Sequence, residues 1–487
     1  MVDFLFVNQP RFKGLPVPRE VDCSSPQKDN FMSPTGLLFL AGVIRDLGYS
    51  LKVVDANLLD LNYQQIGKII RKENPLCVIG SMTAPTIYHD NKLAKVSKQN
   101  SSAFYGTWGP IPSALRNFMF KRFPDLDFIL ENEPEMTLKE LAVNIMKTRK
   151  NPFKGVKGLS YRKGKKVIFN GWRELLTNLD SLPIPYYEGV PIKKYYTPFV
   201  RRRPAVTMRT SRGCPASCIF CITGGQDNIY RGYGKPWRAY SPQRTLKEIK
   251  FLGDLGVKEI NFFDPEFTVN PKRVQEICKK ITKEKLDIIW NCTARVDFVD
   301  EKSLKWMKKA GCYGIAYGME SANREILKIC KKNITPEQVE RAIRLTLRAG
   351  IQPSLFFMIG LPGERKETIR ETFDFAKKMM LKYRIRPQCT IATPYPGTVF
   401  YEMAKQNNWI KEDFSNLDQT MASISYPHLS KKELQMYHKM FYTKIVLHPK
   451  RLMIRLAKIR NPTEIKNIFV HLKEAFSAVI TNAQHIR

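Results

Sequence analysis

Three cysteines, Cys214, Cys218 and Cys221, lie within the short segment SRGCPASCIFCITGG. Their spacing places three thiolates on one tight turn. A structural zinc site closes itself with four ligands, whereas a cubic iron–sulfur cluster held by three cysteines keeps one iron free to bind a substrate. The aromatic Phe220 precedes the last cysteine, where a planar base could pack. Taken alone, the spacing indicates an open iron–sulfur cluster and leaves a zinc knuckle as the alternative.

Length and composition indicate the class of protein. A chain of 487 residues is too long for one ordinary core, so two or three domains are expected. With 43% hydrophobic and 26% charged residues, it is predicted to be globular. The other cysteines lie mostly in apolar segments and are predicted to be buried free thiols, namely Cys23, Cys77, Cys278, Cys292, Cys312, Cys330 and Cys389.

Targeting and membrane signals are not found in the sequence. The segment MVDFLFVNQP lacks the basic region, the apolar stretch and the cleavage site of a secretion signal. No run of about 18 apolar residues occurs, so no membrane span is predicted. We therefore expect a cytoplasmic protein, in a reducing environment that suits an oxygen-sensitive cluster.

The net charge of +35 is compatible with nucleic acid, an anionic membrane surface or an acidic substrate, and equally with a lysine-rich organism. The segment 431–487 holds twelve Lys and Arg residues against three Glu residues. Within it, HPKRLMIRLAKIRNPTEIKNIFVHLKEAF predicts an amphipathic helix, which we expect to pack on the protein itself rather than on an anionic bilayer. The chain contains no helix-turn-helix or zinc-finger pattern, so nucleic acid is not an expected partner.

The first 150 residues alternate between strand-like and helix-like patterns. This alternation predicts a doubly wound parallel, Rossmann-like sheet, with ligands bound at the carboxyl ends of its strands. The predicted strands are 4–7, 51–54, 76–79, 103–105 and 128–130, and the predicted helices are 36–47, 63–72, 89–98, 112–122 and 136–147.

The alternation restarts at residue 201, after a predicted connector over 151–200 that contains a β-hairpin and a proline-rich strap. Six β/α units over 201–410 predict a partial (β/α)6 TIM-type barrel, followed by a basic, mainly helical region over 411–487. The predicted strands are 205–210, 257–263, 287–293, 313–319, 353–359 and 388–393, each followed by a helix. Barrel active sites lie at the carboxyl ends of the strands, where the cysteine loop falls.

Polar residues recur at the later strand ends of this second half. Asp264 and Glu266 follow the second strand and could accept a hydrogen bond from an ammonium group. Arg295 follows the third strand and is suited to a bidentate grip on a carboxylate. Glu320 follows the fourth strand, and Ile359 with Gly360 could let an adenine approach the backbone after the fifth. Each could instead be a cap or a turn, but their recurrence favours a function.

The cysteine motif and this series of strand ends resemble the radical S-adenosylmethionine (SAM) enzymes. In that family the free iron of a [4Fe–4S] cluster chelates the methionine moiety of SAM, and an electron from the cluster splits the sulfonium to give a 5'-deoxyadenosyl radical. The resemblance implies that Cys214, Cys218 and Cys221 bind the cluster. It also implies a set of residues that contact SAM, namely Phe220, Asp264, Glu266, Arg295, Glu320, Ile359 and Gly360.

Residues 1–410 resemble the cobalamin-binding subgroup of that family, on the segments SPTGLLFLAGVIRDLGYSLKVVDAN, GTWGP and ENEPEMTLKEL and the loop at Ser81. The resemblance implies that cobalamin is held by Thr35, Gly36, Asp55, Ser81, Thr83, Gly106, Thr107, Trp108, Gly109 and Glu133. The D-x-H-x-x-G sequence that supplies a cobalt ligand in the mutases is absent. His89, the only histidine of this domain, is expected to face solvent, so no histidine on cobalt is predicted.

The resemblance implies a cobalamin-dependent methylation of an unactivated carbon. An oxidative cyclisation or other radical rearrangement, and a non-catalytic Fe–S or corrinoid sensor, are the alternatives. A tRNA methylthiolation is disfavoured because the extra N-terminal cluster cysteines of those enzymes are missing. The expected partners are a small-molecule or lipid substrate and an electron donor such as flavodoxin or ferredoxin. Candidate cavity residues are Tyr230, Tyr233, Tyr240 and Tyr395.

Overall fold

Two large β-sheets and one two-stranded ribbon organise the chain. The structure, a computed structural model, describes residues 1–20, 26–198, 200–223, 237–411, 414, 417–450 and 453. The two large sheets correspond to the two runs of alternating strands and helices in the sequence, and the predicted mixed α/β architecture is confirmed.

The first sheet has seven strands in the order β2-β1-β3-β4-β5-β6-β7. β1 to β5 are parallel, and β6 and β7 are antiparallel to their neighbours. The strands are β1 (Phe4–Asn8), β2 (Leu51–Asp55), β3 (Cys77–Gly80), β4 (Phe104–Trp108), β5 (Phe128–Leu130), β6 (Leu159–Lys163) and β7 (Lys166–Phe169).

Helices cover both faces of this sheet. Alternate residues of β1 belong to different cores: Phe4 and Phe6 pack on one face, Leu5 and Val7 on the other. Burial on both faces explains why the strands read as continuous apolar runs. The helices are α1 (Thr35–Asp46), α2 (Ala56–Leu59), α3 (Tyr63–Glu73), α4 (Ile87–Asp90), α5 (Lys92–Asn100), α6 (Pro110–Ala114), α7 (Arg116–Arg122) and α8 (Glu135–Lys147).

The hairpin that the sequence assigns to the connector is part of the first sheet. Leu159 of β6 pairs with Leu130 of β5, so the sheet continues through β7. The first sheet therefore extends to Phe169 and includes the hairpin predicted for the connector. The strap that follows lies against α1, where Tyr186 N donates to Leu38 O at 2.9 Å.

The second sheet has six parallel strands in the sequential order β8-β11-β12-β13-β14-β15, and within the described residues no pairing joins β15 to β8. Its strands, with those of the ribbon, are β8 (Ala205–Met208), β9 (Ser211–Arg212), β10 (Arg238–Ala239), β11 (Glu259–Phe262), β12 (Ile289–Ala294), β13 (Cys312–Glu320), β14 (Gln352–Ile359) and β15 (Arg386–Ile391). The helices are α9 (Pro242–Asp254), α10 (Pro271–Lys283), α11 (Glu301–Lys309), α12 (Arg324–Ile329), α13 (Pro336–Arg348), α14 (Lys366–Tyr383), α15 (Val399–Gln406) and α16 (Lys431–Phe441).

Alternation along the strands decides which side chains face the inside of this curved sheet. In β14, Leu355, Phe357 and Ile359 are buried in the core, whereas Phe356 and Met358 line a cavity on the inner side. Successive side chains of a strand point to opposite faces, so the inward set is fixed by one register choice. Most of the other cysteines are buried and free, as predicted, while Cys23 lies outside the described residues.

The C-terminal helix α16 packs on the second sheet. Leu434 and Phe441 are fully buried, and the His438 ring lies 3.1 Å from Cys389 O, where burial lowers the pKa of His438 to about 4. Beyond Lys450 only Met453 is described, so the prediction for the basic terminal segment lies outside the described residues. None of the described helices has the length and apolar character that a membrane span requires.

Candidate active site

A cavity of about 530 Å³ lies between the carboxyl edges of the two sheets. That volume is within the range of small-molecule and cofactor sites, about 300–1,000 Å³. The cysteine loop, β13 and β14 line it from the second sheet, and α1, the end of β4 and the loop before α8 line it from the first.

The loop that carries the cysteines is held by buried hydrogen bonds. Asp264 accepts from Thr210 N at 2.7 Å, Thr210 Oγ1 at 2.9 Å and Ser211 Oγ at 2.7 Å, which fixes the chain immediately before the loop. Within the loop, Ile219 N donates to Cys330 O at 3.1 Å, and Ile219 O accepts from Phe400 N at 3.0 Å. The start of the loop and its middle, at Ile219, are therefore anchored to the second sheet and its helices.

All three cysteines of the loop line the cavity and are free of disulfides. Burial raises the pKa of the Cys214 thiol to about 12, and burial also raises that of Cys218, against the opposing effect of Lys332. Such thiols ionise when a metal binds them. The ligands of a cubane bind different iron atoms, so the three sulfurs need not converge on one point.

Arg295 lines the cavity beside Cys218, but its guanidinium is already engaged. Its Nε and Nη2 bind the two carboxylate oxygens of Asp297, each at 3.0 Å, and Nη2 also donates to Lys332 O at 2.9 Å. Nη1 remains directed at Cys218 Sγ, at 3.9 Å. The predicted bidentate grip on a ligand carboxylate is therefore made on Asp297 instead.

Asp264 and Glu266 also line the cavity, and their oxygens are bound by protein donors. Glu266 accepts from Thr268 N at 2.9 Å, from Thr268 Oγ1, and from Arg295 N. Burial raises the pKa of Glu266 to about 7. The two carboxyls thus hold the neighbouring loops, which differs from the predicted role as acceptors for a ligand ammonium group.

Glu320 forms a buried ion pair in the wall of the cavity. Its Oε1 lies 2.9 Å from Lys332 Nζ, and the two side chains are only 11% and 8% exposed. A Cβ on Gly318 would lie 2.4 Å from that oxygen and 3.0 Å from Lys332 Nζ, so a larger residue there would displace the ends of these two side chains. Burial lowers the pKa of Lys332, but Glu320 and Cys218 offset this, and the pKa is raised overall.

Lys332 is a cavity residue that the sequence reasoning missed. It lies in the turn after α12, in the run ICKKN, which reads as an ordinary charged helix end. Only the spatial meeting of this turn with the end of β13 identifies it.

Ile359 and Gly360, predicted to contact SAM, do not line the cavity. Ile359 points into the core because Met358, its neighbour in β14, takes the inward position. Gly360 adopts a left-handed conformation with φ of +83°, and its N–H donates to Glu364 Oε2 at 2.6 Å. This glycine serves the turn at the end of β14.

Three of the residues predicted to hold cobalamin line the cavity: Gly36, Trp108 and Glu133. A Cβ on Gly36 would lie 2.4 Å from the Trp108 ring, so the indole rests directly on the start of α1. Within the described residues, the buried Trp108 Nε1 makes no hydrogen bond. Glu133 binds Arg238 at 3.0 and 2.6 Å, and although burial raises its pKa, Arg212 and Arg238 lower it overall.

The other seven residues predicted to hold cobalamin do not line the cavity, namely Thr35, Asp55, Ser81, Thr83, Gly106, Thr107 and Gly109. Protein groups occupy most of their polar atoms: Asp55 accepts from Tyr195 OH at 2.6 Å, and Thr107 Oγ1 donates to Gly80 O at 3.0 Å. A Cβ on Gly106 would lie 2.1 Å from the Phe128 ring, so that glycine is needed for packing.

His89 is not the solvent-facing residue that we expected. Its ring is half-buried, 5.3 Å from the ring centroids of both Phe12 and Tyr63, and burial lowers its pKa. Of the four candidate tyrosines, Tyr395 lines the cavity. Tyr240 packs in a separate cluster with Phe39, and Tyr230 and Tyr233 lie outside the described residues.

In this α/β fold, two sheets share one cavity, and three free cysteines lie on one wall of that cavity. These features define an α/β enzyme whose chemistry takes place in the cavity. The sequence pattern of the radical SAM superfamily matches residues 208–376. An uncharacterized methyltransferase of Pyrococcus horikoshii is 35% identical over 446 residues, which is 90% of each chain. The chain belongs to the radical SAM superfamily.

Other similar proteins agree with this membership. The anaerobic magnesium-protoporphyrin IX monomethyl ester cyclase of Cereibacter sphaeroides is 28% identical over 400 residues, 77% of this chain and 60% of the cyclase. The cobalamin-dependent SAM radical enzyme OxsB, solved with aqua-cobalamin and SAM, superposes with a TM-score of 0.72 at 19% identity, covering 98% of this chain and 72% of OxsB. The methyltransferase TsrM of Kitasatospora setae, solved with cobalamin and a [4Fe–4S] cluster, gives 0.65 at 17% identity, covering 90% and 82%. These structures share the fold.

Proposed function

We propose that this radical SAM enzyme binds a [4Fe–4S] cluster, SAM and cobalamin in the cavity between its sheets, and methylates an unactivated carbon of a small-molecule substrate. The observation that carries the proposal is the shared cavity, which the three cysteines line from one side and Gly36 and Trp108 from the other. One space therefore adjoins both the motif for the cluster and the motif for the corrinoid.

The residues around Cys218 fit a cluster with SAM beside it. The three thiols of the loop would bind three irons. Arg295 Nη1 lies 3.9 Å from Cys218 Sγ and would donate a hydrogen bond to that sulfur, which is one of the cluster ligands. Hydrogen bonds to the sulfurs are one means by which a protein sets the reduction potential of a cluster. Phe220, Glu320 and Lys332 line the adjoining wall, where a base, hydroxyl groups and a carboxylate could be held.

The residues at the edge of the first sheet fit a planar corrinoid. The Trp108 indole is flat and lies on Gly36, and both Gly36 and Trp108 adjoin the open space. When bound, the cluster and SAM supply one-electron cleavage of a sulfonium, which permits hydrogen removal from carbon, and a corrinoid supplies methyl transfer.

The chain itself would orient these groups and exclude water. Asp264 and Glu266 hold the loops that carry Cys214 and Arg295 in place through buried hydrogen bonds. The Glu320–Lys332 pair holds two opposite charges in the wall of the cavity, where both side chains are largely shielded from solvent. Fixed charges in a dry site need no reorganisation when a charged ligand reacts there.

A radical cyclisation is the second candidate, because relatives named as magnesium-protoporphyrin cyclases align over most of the chain. A non-catalytic Fe–S or corrinoid sensor is the third. The experiment uses anaerobically reconstituted full-length protein with cobalamin, dithionite, SAM carrying a deuterated methyl group, and an extract from cells that lack the gene. We expect 5'-deoxyadenosine and one product that gains the labelled methyl group.

Two other outcomes would overturn the methylation. A product without label would assign cyclisation. If dithionite and SAM yield no 5'-deoxyadenosine, with or without the extract, the enzymatic proposal fails altogether.

Flotation with anionic liposomes tests whether the basic C-terminal segment brings the enzyme to a membrane-proximal substrate. Equal flotation of full-length protein and of residues 1–447 would remove that idea.

A further inference from the structure

One exposed turn lies directly behind the cysteine loop. It comprises the end of α12 and the turn that follows it, residues 328–332. On its inner side, Cys330 O accepts from Ile219 N at 3.1 Å, and Lys331 O lies 3.9 Å from Cys218 Sγ. This single turn of chain therefore lies between Cys218 and the exposed side chains of Lys328 and Lys331.

The outer side of the turn is basic with an apolar centre. Lys328 and Lys331 are exposed, and Ile329 between them is 43% exposed. A Cβ on Gly363 would lie 2.8 Å from Ile329 Cδ1, so the loop that ends in exposed Arg365 adjoins the turn. Within the described residues, Lys328, Lys331 and Arg365 form no ion pair with an acidic side chain. We call Lys328, Ile329, Lys331 and Arg365 the basic turn patch.

We propose that the basic turn patch is the docking surface for an acidic one-electron carrier protein, which reduces the cluster of the proposed function through this turn. The carrier gives up one electron and the cluster accepts it, so no atom is transferred. The proposal rests on the proposed function, since it requires that Cys218 bind a cluster.

Charge complementarity favours this occupant. A chain with a net charge of +35 attracts acidic proteins over its whole surface, and a local basic patch determines where they dock. A small apolar centre with a charged rim fits the short-lived interfaces of electron-transfer partners, which bury less than about 1,200 Å². Glu325, one turn earlier on α12, and Glu371, which accepts from Asn323 Nδ2 at 2.8 Å, limit the footprint because they would repel an acidic partner.

The test compares two routes of electron delivery to the reconstituted full-length enzyme. The variant is Lys328→Glu with Arg365→Glu, and Lys331 is kept so that the segment in backbone contact with Cys218 has its native sequence. Production of 5'-deoxyadenosine is measured with reduced flavodoxin, with reduced two-cluster ferredoxin, and with dithionite. A matched control reverses the exposed Lys163 and Lys165 of the β6–β7 hairpin to Glu.

At subsaturating carrier, we expect the variant to lose at least about tenfold of the carrier-driven rate, with the dithionite-driven rate unchanged. The wild-type carrier-driven rate should fall as the salt concentration rises, and the variant should lose much of this dependence. A variant that matches the Lys163→Glu/Lys165→Glu control with both carriers would overturn the proposal, as would a wild type that neither carrier reduces. If dithionite also yields no 5'-deoxyadenosine in the wild type, the proposed function fails instead.

Discussion

The two edges of the cavity are built differently. At the edge of the second sheet, most residues that the sequence singles out line the cavity, including the three cysteines, Phe220 and Glu320. At the edge of the first sheet, most of the predicted ligand residues bond to other parts of the protein, as Asp55 does to Tyr195 and Thr107 to Gly80. The first edge offers a flat indole, a glycine and the arginine-paired Glu133, whereas the second offers three thiols and the buried Glu320–Lys332 pair.

This difference fits what the proposed function requires each edge to hold. A cluster and a zwitterionic ligand need specific ligands and compensating charges, which must point into the cavity. A large flat ligand is held mainly by shape and by many weak contacts, so small residues and backbone suffice. The first edge therefore supplies fewer diagnostic side chains, and its motif identifies residues that position the loops.

The largest expected effect is at the cysteine loop. Cys218→Ala should abolish the cluster and lower 5'-deoxyadenosine formation to below about one thousandth, because no other group supplies this chemistry. The measurements are iron and sulfide content and product formation after reconstitution. As a control, Cys278→Ala, on the buried face of α10, should keep the iron and cost about 1 kcal/mol of stability. Equal iron in both variants would contradict the assignment.

The Glu320–Lys332 pair should have the next largest effect. Lys332→Met leaves a buried carboxylate without its cation, and breaking such a pair costs about 3–5 kcal/mol in the free energy of unfolding. The double variant with Glu320→Gln should recover much of that loss, yet still bind SAM weakly. The exposed pair formed by Lys305 and Glu301 is the control, and Lys305→Met should leave the free energy of unfolding nearly unchanged. Denaturant unfolding and SAM titration provide the two readouts.

The pKa values of Glu364, near the second edge, and Glu133, at the first edge, are shifted in opposite directions, so the pH dependence of stability distinguishes the two. Burial raises the pKa of Glu364 to about 8, whereas two arginines keep that of Glu133 low. The folded state holds the Glu364 proton between the ordinary carboxyl pKa and about pH 8, so its contribution to stability falls as the pH rises, by up to about 1.4 kcal/mol per pH unit. Glu364→Gln should flatten this part of the stability profile. An unchanged slope would show that Glu364 is ionised in the fold.

Some features of the fold and of the site could be predicted from the sequence, and others could not. The strands of both sheets could be located because long buried runs alternate with amphipathic helices. The pairing of the β6–β7 hairpin with β5 could not, because partner choice depends on contacts distant in sequence. Lys332 could not be recognised either, since its role arises only where the turn after α12 meets the end of β13.

Local patterns also could not tell a ligand residue from a structural one. Arg295 has the chemistry to hold a carboxylate, but Asp297, two residues later, takes that role. Ile359 sits at a suggestive strand end, yet the alternation of β14 turns it into the core. Side-chain direction and internal hydrogen bonding are set by the fold, so composition at a strand end cannot decide them.

Trp108 tests the first edge directly. Trp108→Phe replaces the indole that lines the cavity by a smaller ring, and should weaken cobalamin retention by up to about tenfold through the loss of flat contact area. SAM cleavage without substrate should remain unchanged, because the second edge is intact. Trp172→Phe, which alters a ring packed on Phe169 and not lining the cavity, is the control. Equal cobalamin retention in the two variants would contradict a corrinoid beside Trp108.

The smallest expected effect is at Thr107, and it tests whether this residue positions the protein backbone or binds cobalamin. Thr107→Val removes a buried hydrogen bond to Gly80 O and should cost about 1 kcal/mol of stability. Cobalamin retention by the folded protein should not change, because Thr107 does not line the cavity. A larger loss of cobalamin than in Trp108→Phe would reverse the assignment of these two residues.

The most direct test of the central claim is the electron paramagnetic resonance spectrum of the reduced full-length protein, reconstituted anaerobically with iron and sulfide, before and after SAM is added. We predict the signal of a reduced [4Fe–4S] cluster that is absent in Cys218→Ala and that changes when SAM binds its open iron. A signal that does not respond to SAM, or stoichiometric zinc in place of iron, would contradict the account.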